Sequence, residues 1–119
     1  HCIKTARLLK EELKWPENKF LVTFQSRFGP EPWLQPYTDE TIIELAKEGS
    51  KNIALIAPGF ISDCLETLEE LNVEARELFM ENGGKTFQYI PCLNDNEYSI
   101  KFLEEIIKQN LLGWNDKIL

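Results

Sequence analysis

Short apolar runs at 20–24, 52–56 and 86–90 alternate along this chain with longer segments of helical periodicity. Each run has the length and the aliphatic, β-branched and aromatic make-up of a buried strand. Ahead of the first, residues 3–14 place Ile3, Ala6, Leu9 and Leu13 at helical spacing. A second helix is expected over 39–48, closed by Gly49, and a third from about Ser62 to Glu81, closed by Gly83 and Gly84. The last covers 97–111 with Ile100, Leu103, Ile107 and Leu111 inward. Strands separated by helices cannot pair as tight hairpins. The order predicts an α/β domain over 1–119, a parallel sheet with right-handed crossovers and helices on both faces, in three layers.

In such a sheet the carboxyl ends of the strands share one edge, where open α/β folds bind ligands. Three loops gather there, at 25–37, 57–62 and 91–96. The first holds Pro30, Pro32 and Pro36 with Phe28, Trp33 and Tyr37, and is long for a strand-to-helix connection. It reads either as a self-packed lid or as a rigid apolar wall for a flat ligand, with Arg27 available to an acidic substituent. Gly59 stands without the further glycines of a phosphate-binding loop, so nucleotide binding is poorly supported.

The second loop leads into a row of acids. At about 100° per residue, Asp63, Glu66, Glu70, Glu74, Glu77 and Glu81 fall in a stripe roughly 80° wide. Leu65, Leu68, Leu71, Ala75, Leu78 and Phe79 gather on another face, so the helix is amphipathic. Neighbouring like charges repel, and only Arg76 opposes the acids between 63 and 81. Such a face looks at water, the common case, or at a cation. Asp63 and Glu66 also have the spacing of a capping box at a helix start.

A formal net charge of -7 opposes nucleic-acid binding, since nothing here would neutralise a phosphate backbone. No apolar run approaches the roughly 20 residues of a membrane span, which leaves peripheral membrane contact open. Cys2, Cys64 and Cys92 are odd in number and widely spaced, as expected of reduced thiols in the cytoplasm. Cys64 lies in the first turn of the acidic helix, where the helix dipole lowers a thiol pKa and the carboxylates raise it.

The stretches Phe24-Gln25-Ser26-Arg27-Phe28-Gly29-Pro30, Pro32-Trp33-Leu34 and Thr38-Asp39-Glu40 are followed by Pro58-Gly59-Phe60, Ser62-Asp63, Leu65-Glu66-Thr67-Leu68 and Leu93-Asn94. In this order and spacing they resemble the ferrochelatase family, which inserts ferrous iron into a porphyrin in haem synthesis. The resemblance spans nearly the whole chain. It implies a chelatase-like protein of two Rossmann-like halves with the porphyrin between them. This chain would be most of the C-terminal half, without its first strand, and the N-terminal half its partner.

The resemblance implies Glu66 as the catalytic proton acceptor, opposite a His on a strand preceding these residues. Glu66, Glu70 and Glu74 are the implied metal path, and Gln25, Ser26, Arg27, Trp33 and Asp63 the implied porphyrin-binding set. Ferrous iron and protoporphyrin or coproporphyrin are the implied substrates, with no tightly bound cofactor. Cys64 stands where many relatives carry His. The cysteine cluster that binds iron–sulfur in some relatives has no match in residues 113–119, so no such cluster is expected.

The chemistry agrees with the residue types. Metallation exchanges two pyrrole protons for one Fe²⁺, so the site needs a base and a weak metal donor. Carboxylates hold divalent iron loosely enough to release it, unlike thiolates. A Glu buried against apolar walls is expected to have a raised pKa, suited to proton exchange near neutrality. Two other readings fit the same residues. One is a flavodoxin-like interaction module whose acidic face docks a basic partner; the other is a related chelatase for another tetrapyrrole or metal.

Overall fold

The structure, a computed structural model, describes residues 1–114; residues 115–119, part of the tail read above for an iron–sulfur cluster, lie outside the described residues. Helix α1 spans Cys2–Leu13, α2 Thr38–Lys47 and strand β1 Asn52–Ile56. A long helical segment follows, π-helical over Glu66–Glu74 and α-helical over Ala75–Glu81 (α3), then β2, Thr86–Ile90, and α4, Glu97–Asn110. No described helix is long and apolar enough to cross a membrane.

β1 and β2 pair in parallel, Asn52 opposite Thr86 and Ile56 opposite Ile90. The helical segment between them is the crossover that a parallel pair requires. Strand alternation sends Ile53, Leu55, Phe87 and Tyr89 to one face, where they meet Leu71, Ala75 and Phe79. α2 adds Ile42 and Ala46 to the same core. Phe79 is fully buried, its ring centroid 6.2 Å from that of Phe87. Gly83 takes φ +107° to end the helix, and a Cβ on Gly84 would overlap the Phe79 ring. The architecture is therefore α/β, a small parallel sheet flanked by helices, consistent with part of a chelatase-like Rossmann fold.

Several expected details change. Residues 20–24 form no strand of the sheet, which has two strands. Phe24 instead makes an isolated parallel bridge with Tyr37, its N–H donating to Pro36 O at 2.9 Å and its carbonyl accepting from Thr38 N at 3.1 Å. A strand needs a neighbour along its length, and here this run pairs at one residue. The inward face expected of α4 is also uncovered, with Ile100 52% and Ile107 50% exposed. In α1 only Ala6 is buried, and in α4 only Ser99. The second face of the sheet, with Ala54, Ile56, Gln88 and Ile90, is exposed too. These open helices and sheet face raise the radius of gyration to 17.6 Å, against about 13–14 Å for a compact domain of this length.

The acidic helix starts later than expected, since residues 62–64 are irregular. Its buried positions are Thr67, Leu71, Ala75 and Phe79, while Leu65 is 75% exposed and Leu68 50%. An i→i+5 ladder winds more than four residues into each turn, whereas an α-helix winds fewer. Across the π-to-α junction the two drifts oppose each other, and every fourth residue faces the core.

Candidate active site

The loop after Phe24 and the helical segment enclose a cleft of about 380 Å³, lined by Gln25, Ser26, Arg27, Tyr37, Glu70 and Glu74 among others. Ser26 is in the left-handed region at φ +55°. That conformation turns its N–H and its hydroxyl together onto Glu70, with 2.8 Å from N to Oε1 and 2.8 Å from Oγ to Oε2. Gln25 Nε2 donates to the Glu66 carbonyl at 3.1 Å, and Trp33 Nε1 donates back to Gln25 O at 2.9 Å. The Arg27 guanidinium lies 4.6 Å from the centroid of the Tyr37 ring, a cation–π contact. The proline-rich loop is thus fastened to the carboxylate segment, with an aromatic and a cation beside it.

Just ahead of the same segment, Asp63 does not cap the helix as expected. Its Oδ1 accepts from Tyr89 OH at 2.7 Å and Thr67 Oγ1 at 2.8 Å, and its Oδ2 accepts from Asn94 Nδ2 at 2.8 Å. Its own N–H donates to Asn94 Oδ1 at 2.8 Å. The Asn94 amide first, then the Tyr89 hydroxyl, holds the Asp63 carboxyl well below the usual carboxylate range. Burial pushes Tyr89 and Cys92 up, so both stay protonated near neutrality. Thr67 is fully buried and accepts the Cys64 N–H at 2.9 Å.

Glu66 itself is exposed. The expected rise in its pKa is not found: the adjacent Cys64 thiol, followed by its own backbone N–H, lowers it. The reason is its surroundings, which are open rather than apolar here, so desolvation is the smaller effect. Of the residues singled out from the sequence, Gln25, Ser26, Arg27, Glu70 and Glu74 come together in the cleft, and Glu66, Trp33 and Asp63 are not among its lining residues. Among the described residues no three His, Cys, Asp or Glu side chains are grouped to hold a metal ion. Glu77 and Glu81, at the far end of the stripe, are exposed.

Local sequence reasoning missed Thr67, Tyr89 and Asn94 as partners of Asp63. The available signals were the motifs that contain Thr67 and Asn94, and Asn94 is also a residue type that tolerates the left-handed region it adopts at φ +51°. Tyr89 read only as a strand aromatic.

The family pattern described as Ferrochelatase matches residues 1–111. The ferrochelatase of Allorhizobium ampelinum is 59% identical over 113 residues, 95% of this chain and 33% of that protein. That of Agrobacterium fabrum is 59% identical over 114 residues, 96% of this chain and 33% of its own length. That of Brucella ovis is 57% identical over 113 residues, 95% of this chain and 32% of the relative. The chain spans about a third of the length of the curated relatives it matches.

Proposed function

The chain belongs to the ferrochelatase family, and we propose that the complete protein inserts ferrous iron into a porphyrin, with these residues forming one side of the site. Two pyrrole N–H bonds break and iron–nitrogen bonds replace them, so two protons must leave for each Fe²⁺ that enters. Glu66 is the proton acceptor and a passing iron donor. Like any carboxylate of ordinary pKa it is ionised at neutral pH, the form that attracts Fe²⁺ and that accepts a proton; the further lowering favours the metal-donor role over basicity. A carboxylate releases divalent iron readily, which a delivery group requires. Glu70 and Glu74 continue the acidic path along the segment.

Trp33 and the loop around it supply the apolar wall for the macrocycle, and Arg27 meets an acidic substituent at its rim. Gln25 and Ser26 hold that wall against the acids, and Asp63 anchors the turn before Glu66. Distortion of the ring against such a wall exposes nitrogen lone pairs, so binding energy is used in the transition state. The catalytic His and the opposite wall come from the remainder of the protein, which works in the cytoplasm with Fe²⁺ as substrate and no tightly bound cofactor.

The observation that carries this reading is the two-bond tie between Ser26 and Glu70. It joins the aromatic loop to the carboxylate segment in one unit around the cleft, the combination required by a flat ligand that gives its protons to a base in exchange for a metal ion. The test is metalloporphyrin formation by the full-length protein, followed by absorbance with ferrous iron and either protoporphyrin or coproporphyrin. Turnover with one of them is expected. Absence of turnover with both, together with salt-sensitive binding to basic proteins, would instead establish an acidic docking module.

A further inference from the structure

The π-helical segment carrying Glu66 begins without a side-chain cap, so something else must fix where that residue stands. Asp63, three positions earlier, meets Asn94 through two reciprocal bonds: Asp63 N–H to Asn94 Oδ1 and Asn94 Nδ2 to Asp63 Oδ2, both 2.8 Å. Asn94 is itself pinned. Its N–H donates to Ile61 O at 2.9 Å, and its amide also donates to Cys92 O at 3.1 Å. The other Asp63 oxygen takes Tyr89 OH from β2 and Thr67 from the segment itself.

We propose that Asn94 is a positioning residue for Glu66, fixing the irregular turn at 62–64 through its paired hydrogen bonds to Asp63. An amide is suited to this place because one end accepts the backbone N–H while the other donates to the carboxylate. A carboxylate at position 94 would set acceptor against acceptor, and an apolar group would leave both partners unpaired. Tyr89 works with it, tying the turn to the sheet from the side that also packs the core. The inference rests on the role given to Glu66 above.

The test uses the full-length protein and the variants Asn94→Ala, Asn94→Asp, Tyr89→Phe and Glu66→Gln. The readouts are kcat per folded molecule, KM for porphyrin, and folded fraction by circular dichroism. Asn94→Asp should lower kcat about ten- to a hundredfold with porphyrin KM little changed, because a displaced group slows chemistry without removing the porphyrin wall. Asn94→Ala should fall between it and wild type. Tyr89→Phe keeps the ring in the core and removes one bond, so a loss of about fivefold is expected.

Normal kcat per folded molecule in both Asn94 variants overturns the inference, as does a rise in porphyrin KM with kcat intact. If the Asn94 variants do not fold, Tyr89→Phe decides: a slowed kcat supports positioning and an unchanged one overturns it. Glu66→Gln separates the two readings. Full turnover there overturns the role of Glu66 and this inference with it, whereas loss there beside unaffected Asn94 variants overturns the positioning role alone.

Discussion

Ser26 and Glu70, 44 positions apart in sequence, are joined by two hydrogen bonds of 2.8 Å, one from the Ser26 backbone and one from its hydroxyl. A carboxylate that accepts from both ends of one residue fixes the orientation of that residue as well as its distance. Ser26→Ala removes the hydroxyl bond and leaves the N–H. A stability loss of about 1–2 kcal/mol is expected from such a bond to a partly buried charged group. Hydrogen exchange should show faster exchange at the amides of residues 25–27. An unchanged exchange rate would mean that the loop is held elsewhere.

Trp33 is 37% exposed and Phe79 is fully buried. Trp33→Ala should therefore weaken porphyrin binding while destabilising the fold less than Phe79→Ala, for which about 3–5 kcal/mol is expected. Urea denaturation and porphyrin fluorescence titration on the same variants check this. If Trp33→Ala unfolds the protein as readily as Phe79→Ala and the folded remainder binds porphyrin normally, the loop is structural.

The two paired strands were legible in the sequence because 52–56 and 86–90 carry both a strand pattern and turn residues at their ends. The run at 20–24 has similar side chains, but a strand is made by its neighbour and this run pairs only at Phe24. The expected stripe assumes α-helical pitch, whereas the π-helical winding leaves Leu65 and Leu68 outward and brings Thr67 in. Ser26 stands in one of the family motifs and Glu70 in the acidic stripe, yet their contact spans the chain and no local pattern records it. Asp63 shows the same limit. Its capping-box spacing is real, but Tyr89 and Asn94, 26 and 31 residues away, offer stronger partners.

Asp63 also gives a signed pH dependence. Its folded pKa is depressed, chiefly by Asn94, so the unfolded chain binds the proton more readily at low pH. The resulting stabilisation is complete above about pH 5 and is lost as pH falls through about 4 and below. Asp63→Asn removes this contribution and leaves those of other carboxylates in place. The difference in urea midpoint between wild type and Asp63→Asn should shrink steadily on acidification. A difference independent of pH would contradict the assigned cause.

On the proposed function, which places the opposing wall and the catalytic His in the rest of the protein, the 119 residues alone should form no metalloporphyrin. The exposed apolar residues of α1, α4 and the open sheet face should make this chain self-associate. Sedimentation across a concentration series should show it, and a stable monomer at high concentration would contradict it.

Substitution of Glu66 in the full-length protein tests the central claim most directly. Glu66→Gln keeps the shape of the side chain and removes its charge, and Glu77→Gln serves as the control farther along the segment. Metalloporphyrin formation, followed by absorbance, should lose at least about 10²-fold in kcat for Glu66→Gln and change little for Glu77→Gln. Near-normal iron insertion by Glu66→Gln, or equal losses at the two positions, would contradict the account.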